Sequence, residues 1–160
     1  MTDMNWLMKT EPDVFSFDDL VNMKDSTDHW DGIRNYQARN FMRDQFKLGQ
    51  KVFIYHSNTK VPGIVGIAKV VREAYPDHTA LDPDCKYFDP KSEEKGESRW
   101  CMVDVKATHR FRNLVSLTDM KEMPESDGML LLKRGQRLSI QAVAKHEWDH
   151  IVSLGKPKAL

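Results

Sequence analysis

Apolar and polar positions alternate along several stretches of the chain and recur at helical spacing along others, and the two periods divide it into elements. Trp6-Leu7-Met8 is the apolar centre of a short strand, Asn5 to Lys9, which Thr10-Glu11-Pro12 ends because proline disfavours helix in the residue before it. Ser16, with Asp19 three residues on, is an N-cap followed by a first-turn carboxylate; the helix it opens turns Phe17, Leu20 and Val21 or Met23 inward. After Trp30-Asp31-Gly32 a second helix is predicted from Tyr36 to Phe46, stopping at Gly49. Lys51 to Ser57 and Ile64 to Ala74 alternate as strands, with the turn-rich Asn58-Thr59-Lys60-Val61-Pro62-Gly63 between them as a hairpin connection. Pro76 to Ser98 is polar, holds three prolines and predicts a long surface loop. Beyond it come a strand from Trp100 to Lys106, a short helix from Ser116 to Met123, a strand from Leu138 to Val143 after a turn at Gly135, and a closing helix from Lys145 to Leu154.

Strands outnumber long helices in this pattern, which suggests an α+β domain around a curved antiparallel sheet or small barrel. No repeat, low-complexity tract or linker interrupts the 160 residues, so the whole of 1–160 is expected to be one domain. A chain of this length buries enough surface to fold without a disulfide or metal staple, leaving Cys85 and Cys101 as free thiols. Lys and Arg number 24 and Asp and Glu 24, which excludes a polycation or an acidic disordered tail and requires any nucleic-acid affinity to come from a local patch. No apolar run approaches the roughly 20 residues of a membrane span, and Met1 to Asn5 lacks the basic start and apolar stretch of a secretory signal. A soluble protein of a reducing compartment is expected, cytoplasmic, or nuclear if the source is eukaryotic.

Several motifs tempt and fail. His146-Glu147-Trp148-Asp149-His150 matches H-E-x-x-H, but Ile151 to Leu160 offers no third zinc ligand, and Trp148, Ile151 and Val152 suit a helix packed on a sheet. His56 and Ser57 are neighbours on a strand and point to opposite faces, so they cannot act as base and nucleophile for one another. Gly63-Ile64-Val65-Gly66 has the spacing of a nucleotide clamp but sits among β-branched residues at a strand start, which favours a turn or bulge. Neither phosphate-cradling glycine motif occurs, no metal-binding Cys spacing occurs, and no cofactor is expected.

The informative stretch is Arg34 to Lys51, where five cations face one acid, Asp44, in a chain of zero net charge. On a helix from Tyr36, the residues Tyr36, Arg39, Asn40 and Arg43 share one face, with Ala38, Phe41, Met42 and Gln45 roughly opposite. Arginine forks, an amide and a phenol are what phosphates and base edges accept, with Trp30 and Tyr36 as stacking surfaces; a solvated helix face is the bland alternative. A second acid-free basic stretch, Leu130 to Lys145, carries Lys133, Arg134 and Arg137 into a strand on which Ser139 and Gln141 share a face. Phe53, Tyr55 and Ser57 likewise share a face, as the floor of a pocket or as core.

Taken together, Trp6 to Pro12, Trp30 to Asn40, Tyr55-His56-Ser57-Asn58, Pro62-Gly63-Ile64, Glu73 to Asp77 and Arg137-Leu138-Ser139-Ile140-Gln141 closely resemble the EVE domain, in order and over nearly the whole chain. Within it the resemblance is to the thymocyte nuclear protein 1 family. It implies a PUA-like β-barrel flanked by short helices, related to YTH and ASCH domains, and non-catalytic recognition of a modified base in DNA or RNA within an aromatic pocket. Carried over by position, the base-pocket candidates are Trp6, Lys9, Trp30, Asn35, Tyr36, Arg39, Tyr55, His56, Ser57, Arg137 and Ser139. Arg34, Arg43, Lys133 and Arg134 are the phosphate-binding candidates. Two departures are Ala142, where the family often has proline, and the lack of the N-terminal extension of nuclear members, which suggests a bare, bacterial version of the domain. Two other classes stay open: an enzyme acting on a modified base through Glu11, Asp31 or His56, and a protein-interaction module using the Trp30 to Asn40 face.

Overall fold

The computed structural model describes residues 4–123, 130–132 and 138–160; the expected turn at Gly135 and the candidates Lys133, Arg134 and Arg137 lie outside the described residues. The elements are β1 (Asn5–Thr10), α1 (Phe17–Asn22), β2 (Thr27–Trp30), α2 (Tyr36–Asp44), β3 (Lys51–His56), β4 (Gly63–Pro76), α3 (Pro90–Lys95), β5 (Cys101–Ser116), α4 (Leu117–Lys121), β6 (Ile140–Val143), α5 (Lys145–Gly155) and β7 (Pro157–Ala159). Ser16 caps α1 as expected, its hydroxyl accepting from Asp19 N–H while the Asp19 carboxylate accepts from Ser16 N–H. No helix among the described residues is long and apolar enough to cross a membrane.

The strands form one curved sheet in the order β2-β5-β4-β3-β1-β6, with β7 added to β5. This is the expected α+β architecture with two refinements. The sheet is mixed, because α1, β2 and α2 carry the chain across before β3 and leave β1 parallel to it, Trp6 opposite Val52. It also stays open, since β2 and β6 end the pairing order instead of closing on each other. Curvature comes from β4 and β5, whose register shifts at four places, each bulge adding twist. At one of them Gly66 has no side chain to keep the Phe17 ring away, so α1 lies directly on the strand.

Each face of the sheet carries its own apolar cluster. Trp6, Met8, Val52, Ile54, Ala68, Val70, Val103 and Val105 lie on one side, with Phe17 and Leu20 of α1 and Ala38 and Met42 of α2. Leu7, Phe53, Tyr55, Ile67 and Phe111 lie on the other beneath α5, whose Trp148 stacks on Phe53 at 3.7 Å between ring centroids. Two pocket candidates are therefore core. Because β1 is paired on both edges and covered on both faces, Trp6 is fully enclosed between Phe41 and Phe46, its indole N–H donating to Gln50 at 2.8 Å. Tyr55 is buried beside Phe53 for the same reason.

The pattern underestimates β5, which runs ten residues past Lys106 because its bulges break the alternation. It also passes over β2 and β7, short and mostly polar edge segments, and over the helical turns inside the expected loop, at His78–Leu81 and α3. On α5, Glu147 is a cap and not a metal ligand: its carboxylate accepts from Ala144 N–H at 2.8 Å.

Phe53 joins the sheet to α5, so Phe53→Ala should lower unfolding free energy by about 3–5 kcal/mol in urea titrations, with the Trp148 fluorescence change moving to lower denaturant.

Candidate nucleic-acid interface

Where the curved sheet fails to close, a cleft of about 460 Å³ opens between the end of β1 and the end of β2, a size within the range of about 300–1,000 Å³ usual for ligand pockets. Lys9, Thr10 and Glu11 come from the exit of β1, Val14 and Phe15 from the turn before α1, and Asp28 to Ile33 from β2 and its continuation. Lys86 and Tyr87 reach in from the long connection after β4, and Ser139 from the approach to β6. Phe15 and Trp30 meet edge to face at 6.2 Å, and Trp30 belongs to the apolar cluster of α1 and α2, 8% exposed, while also lining the cleft. The Tyr87 ring lies against Gly32, where a Cβ would stand 2.5 Å from Tyr87 Cζ and where φ of +76° disfavours any other residue.

One buried carboxylate fixes this wall. Asp77 is fully enclosed and accepts from Gly32 N–H at 3.0 Å, Arg34 Nη1 at 3.0 Å, and the N–H and hydroxyl of Thr79 at 2.9 and 2.5 Å. Burial alone would raise its pKa, but the bonds from Thr79, Gly32 and Arg34 outweigh it and hold the carboxyl below its ordinary range. Arg34 also donates to the Tyr87 carbonyl through Nε at 3.1 Å and Nη2 at 2.6 Å. The expected phosphate ligand Arg34 is thus spent inside the protein, where it ties Tyr87 to Gly32. Arg43, the other described phosphate candidate, is paired with Asp44 at 2.8 Å.

Of the base-pocket candidates, Lys9, Trp30 and Ser139 line the cleft, as do Glu11 and Asp31. Others serve the frame. Asn35 caps α2, its side-chain oxygen accepting from Ala38 N–H at 3.0 Å. His56 Nε2 accepts from Phe17 N–H at 3.0 Å and so docks α1 on β3; burial holds its pKa below the ordinary value. Ser57 N–H donates to the Thr10 carbonyl at 2.9 Å. Tyr36 and Arg39 sit outside the cleft around Trp100. Phe15, Lys86 and Tyr87 are wall residues that sequence reasoning missed; only the length of the Pro76 to Ser98 segment pointed toward Tyr87.

The polar groups in the cleft balance closely, Lys9 and Lys86 against Glu11, Asp28 and Asp31. Burial lowers the pKa of Lys9 and raises that of Asp31, the latter opposed by His29, whose Nε2 lies 3.5 Å from the carboxylate. Such a site presents directional donors and acceptors more than net charge.

A second buried carboxylate, Asp89, braces the outer wall. It accepts from Arg99 Nε at 2.6 Å and Nη2 at 3.1 Å, from the Ser92 hydroxyl and the Trp100 indole N–H at 2.8 Å each, and from Lys91 N–H at 3.2 Å. The Arg99 bonds above all hold its pKa far below the usual carboxylate range, although burial acts against them. Both Asp77 and Asp89 are depressed, so their stabilisation is complete above the unfolded-state value near about 3.9 and is lost as pH falls below it toward the native values. Urea midpoints should therefore drop below about pH 4, and Asp89→Asn should be less stable at pH 7 with a shallower acid loss.

The chain matches the EVE domain model over residues 4–154. It is 42% identical to thymocyte nuclear protein 1 of Gallus gallus over 175 residues, covering 99% of this chain and 71% of that protein. A hypothetical protein from Leishmania major has a solved structure that is 46% identical, covers 96% of this chain and 94% of that one, and superposes with a TM-score of 0.88. Human THYN1 protein, crystallised in complex with 5-methylcytosine-containing DNA, is 40% identical, covers 97% of this chain and 99% of that one, and gives a TM-score of 0.85. The curved sheet, the cleft at its open edge and these likenesses together show that the chain belongs to the EVE domain family.

Proposed function

We propose that the protein is a non-catalytic reader that takes a modified cytosine, extruded from DNA, into the cleft between β1, β2 and Tyr87. The observation that carries this reading is the aromatic-walled cleft in a chain whose 40% identical relative is crystallised with 5-methylcytosine-containing DNA. On this reading Trp30 supplies the stacking surface, at about 1–3 kcal/mol for one aromatic contact, while Phe15, whose plane stands at 85° to it, and Tyr87 border the base. Cytosine presents an amine donor beside two acceptors. Asp31 suits the amine and Lys9 or Ser139 the acceptors, whereas the 4-keto oxygen of thymine would set two acceptors against each other. The methyl group itself adds about 0.8 kcal/mol when buried, close to fourfold in affinity. Extrusion costs a few kcal/mol, which favours a strand already unpaired at the target.

Binding rather than turnover suits the acid and base candidates. His56 is occupied by the α1 backbone, and Glu11 accepts from the Asn58 amide at 3.2 Å. Asp31 lies beside His29, and among the described residues no hydroxyl or thiol is bonded to it.

Fluorescence anisotropy with labelled single strands carrying one 5-methylcytosine, cytosine or thymine tests the reading. The wild type should bind 5-methylcytosine about fourfold more tightly than cytosine, and thymine most weakly. Trp30→Ala should weaken the methylated strand by about 5- to 150-fold. Asp31→Asn should narrow the gap between cytosine and thymine, because an amide can also donate. As pH falls toward the raised pKa of Asp31, its carboxylate takes a proton and wild-type affinity for cytosine strands should decline above the pH at which an ordinary aspartate titrates. Equal binding of all three strands by wild type and variants would overturn the assignment.

A further inference from the structure

Tyr36 is the first residue of α2 and half exposed, an unusual outlay for a large aromatic ring. One of its faces rests on Trp100, with centroids 4.9 Å apart and planes inclined by 25°. Two guanidinium groups attend this stack. Arg39 lies 4.6 Å from the Tyr36 centroid and 5.8 Å from that of Trp100, and Arg99 lies 5.7 and 5.1 Å from the same two rings. A cation on the outer face of Tyr36 would stand far more distant from Trp100 than from Tyr36. These near-equal distances place both beside the stack, so neither covers that outer face.

The stack is held by the same Asp89 cluster that braces the outer wall. The saturated Asp89 fixes the Trp100 indole and Arg99, and Arg99 Nη1 donates to the Tyr36 hydroxyl at 2.5 Å. Among the described residues Arg39 donates to neutral oxygens, the Asn40 amide and the Arg99 carbonyl, and to no carboxylate. Lys86 and Tyr87 line both the cleft and a hollow of about 270 Å³ that reaches Arg99 and Trp100, the two residues that support Tyr36.

We propose that the outer face of Tyr36 is a second stacking subsite, which receives the base adjacent to the extruded one on the same strand while Arg39 meets its phosphate. The proposal rests on the reading that a nucleic-acid strand enters the cleft. An aromatic surface accepts any base, so this subsite adds affinity without reading the mark, and recognition divides into a discriminating cleft and an indifferent platform.

Anisotropy titrations with three single-stranded probes test it: one 5-methylcytosine with ordinary neighbours, the same strand with abasic sites on both sides, and the unmodified strand. Tyr36→Ala should weaken both base-complete strands by the same factor, about 5- to 150-fold, and leave their ratio unchanged. Abasic neighbours should cost the wild type a similar factor and cost Tyr36→Ala almost nothing further, whereas Tyr36→Phe, which keeps the ring, should stay within about twofold of wild type. Urea midpoints of both variants separate lost stacking from lost folding. Full affinity in folded Tyr36→Ala, or abasic losses that add to it, overturns the platform even if the mark is read. A wild type that ignores the methyl group yet depends on Tyr36 overturns recognition of the mark and keeps the platform, and a wild type that binds none of the strands overturns both.

Discussion

Asp77 sits at no exposure between the connection leaving β2 and the connection leaving β4, and the cleft depends on that placement. A carboxylate taken out of water is tolerated only when its lone pairs are filled, and here Gly32, Arg34 and Thr79 fill them. Arg34 carries the constraint onward to the Tyr87 carbonyl, so the glycine that leaves space for the Tyr87 ring and the ring itself are fixed by one cluster. A buried pair of this kind contributes modestly to net stability, yet losing one partner strands the other charge, at a cost of about 3–5 kcal/mol. What the pair supplies is position. The Gly32–Tyr87 wall is held by hydrogen bonds, and among the described residues no strand of the sheet runs there.

The same economy draws on the arginines at and before α2. Arg34 turns inward to Asp77, Arg43 is paired with its sequence neighbour, and Arg39 is the one of the three with no carboxylate bonded to it. Among the described residues the cleft is nearly balanced, so these residues offer a polyanion little net charge. What they offer a base, on the proposed reading, is shape, stacking and an order of donors and acceptors, the regime in which a buried polar group discriminates more sharply than a methyl group.

Local chemistry was legible in the sequence wherever a residue's partner lies within a few positions. The Ser16–Asp19 box, the turn between β3 and β4 and the apolar face of α5 follow from spacing alone. Partners far along the chain were not legible. Trp6 and Trp30 are both pocket candidates by sequence, but one lies on a strand paired at both edges and the other at the end of an edge strand beside the opening. Asn35 and His56 carry the chemistry of a binding site and are consumed by the backbone of α2 and α1. Tyr87 gave no signal beyond its place in a long connection, because its position is set by Arg34, fifty-three residues earlier.

The central claim is that a base stacks against Trp30, and the indole N–H resonances of the four tryptophans report on it directly. Trp6 and Trp148 lie in the two cores and Trp100 lies under Tyr36, whereas Trp30, a member of the same core cluster as Trp6, is the one of the four that borders the cleft. In a titration with a single strand carrying one 5-methylcytosine, the Trp30 signal should shift saturably and further than with the unmodified strand, while Trp6 and Trp148 stay still. A saturating complex that leaves Trp30 unmoved would contradict the account.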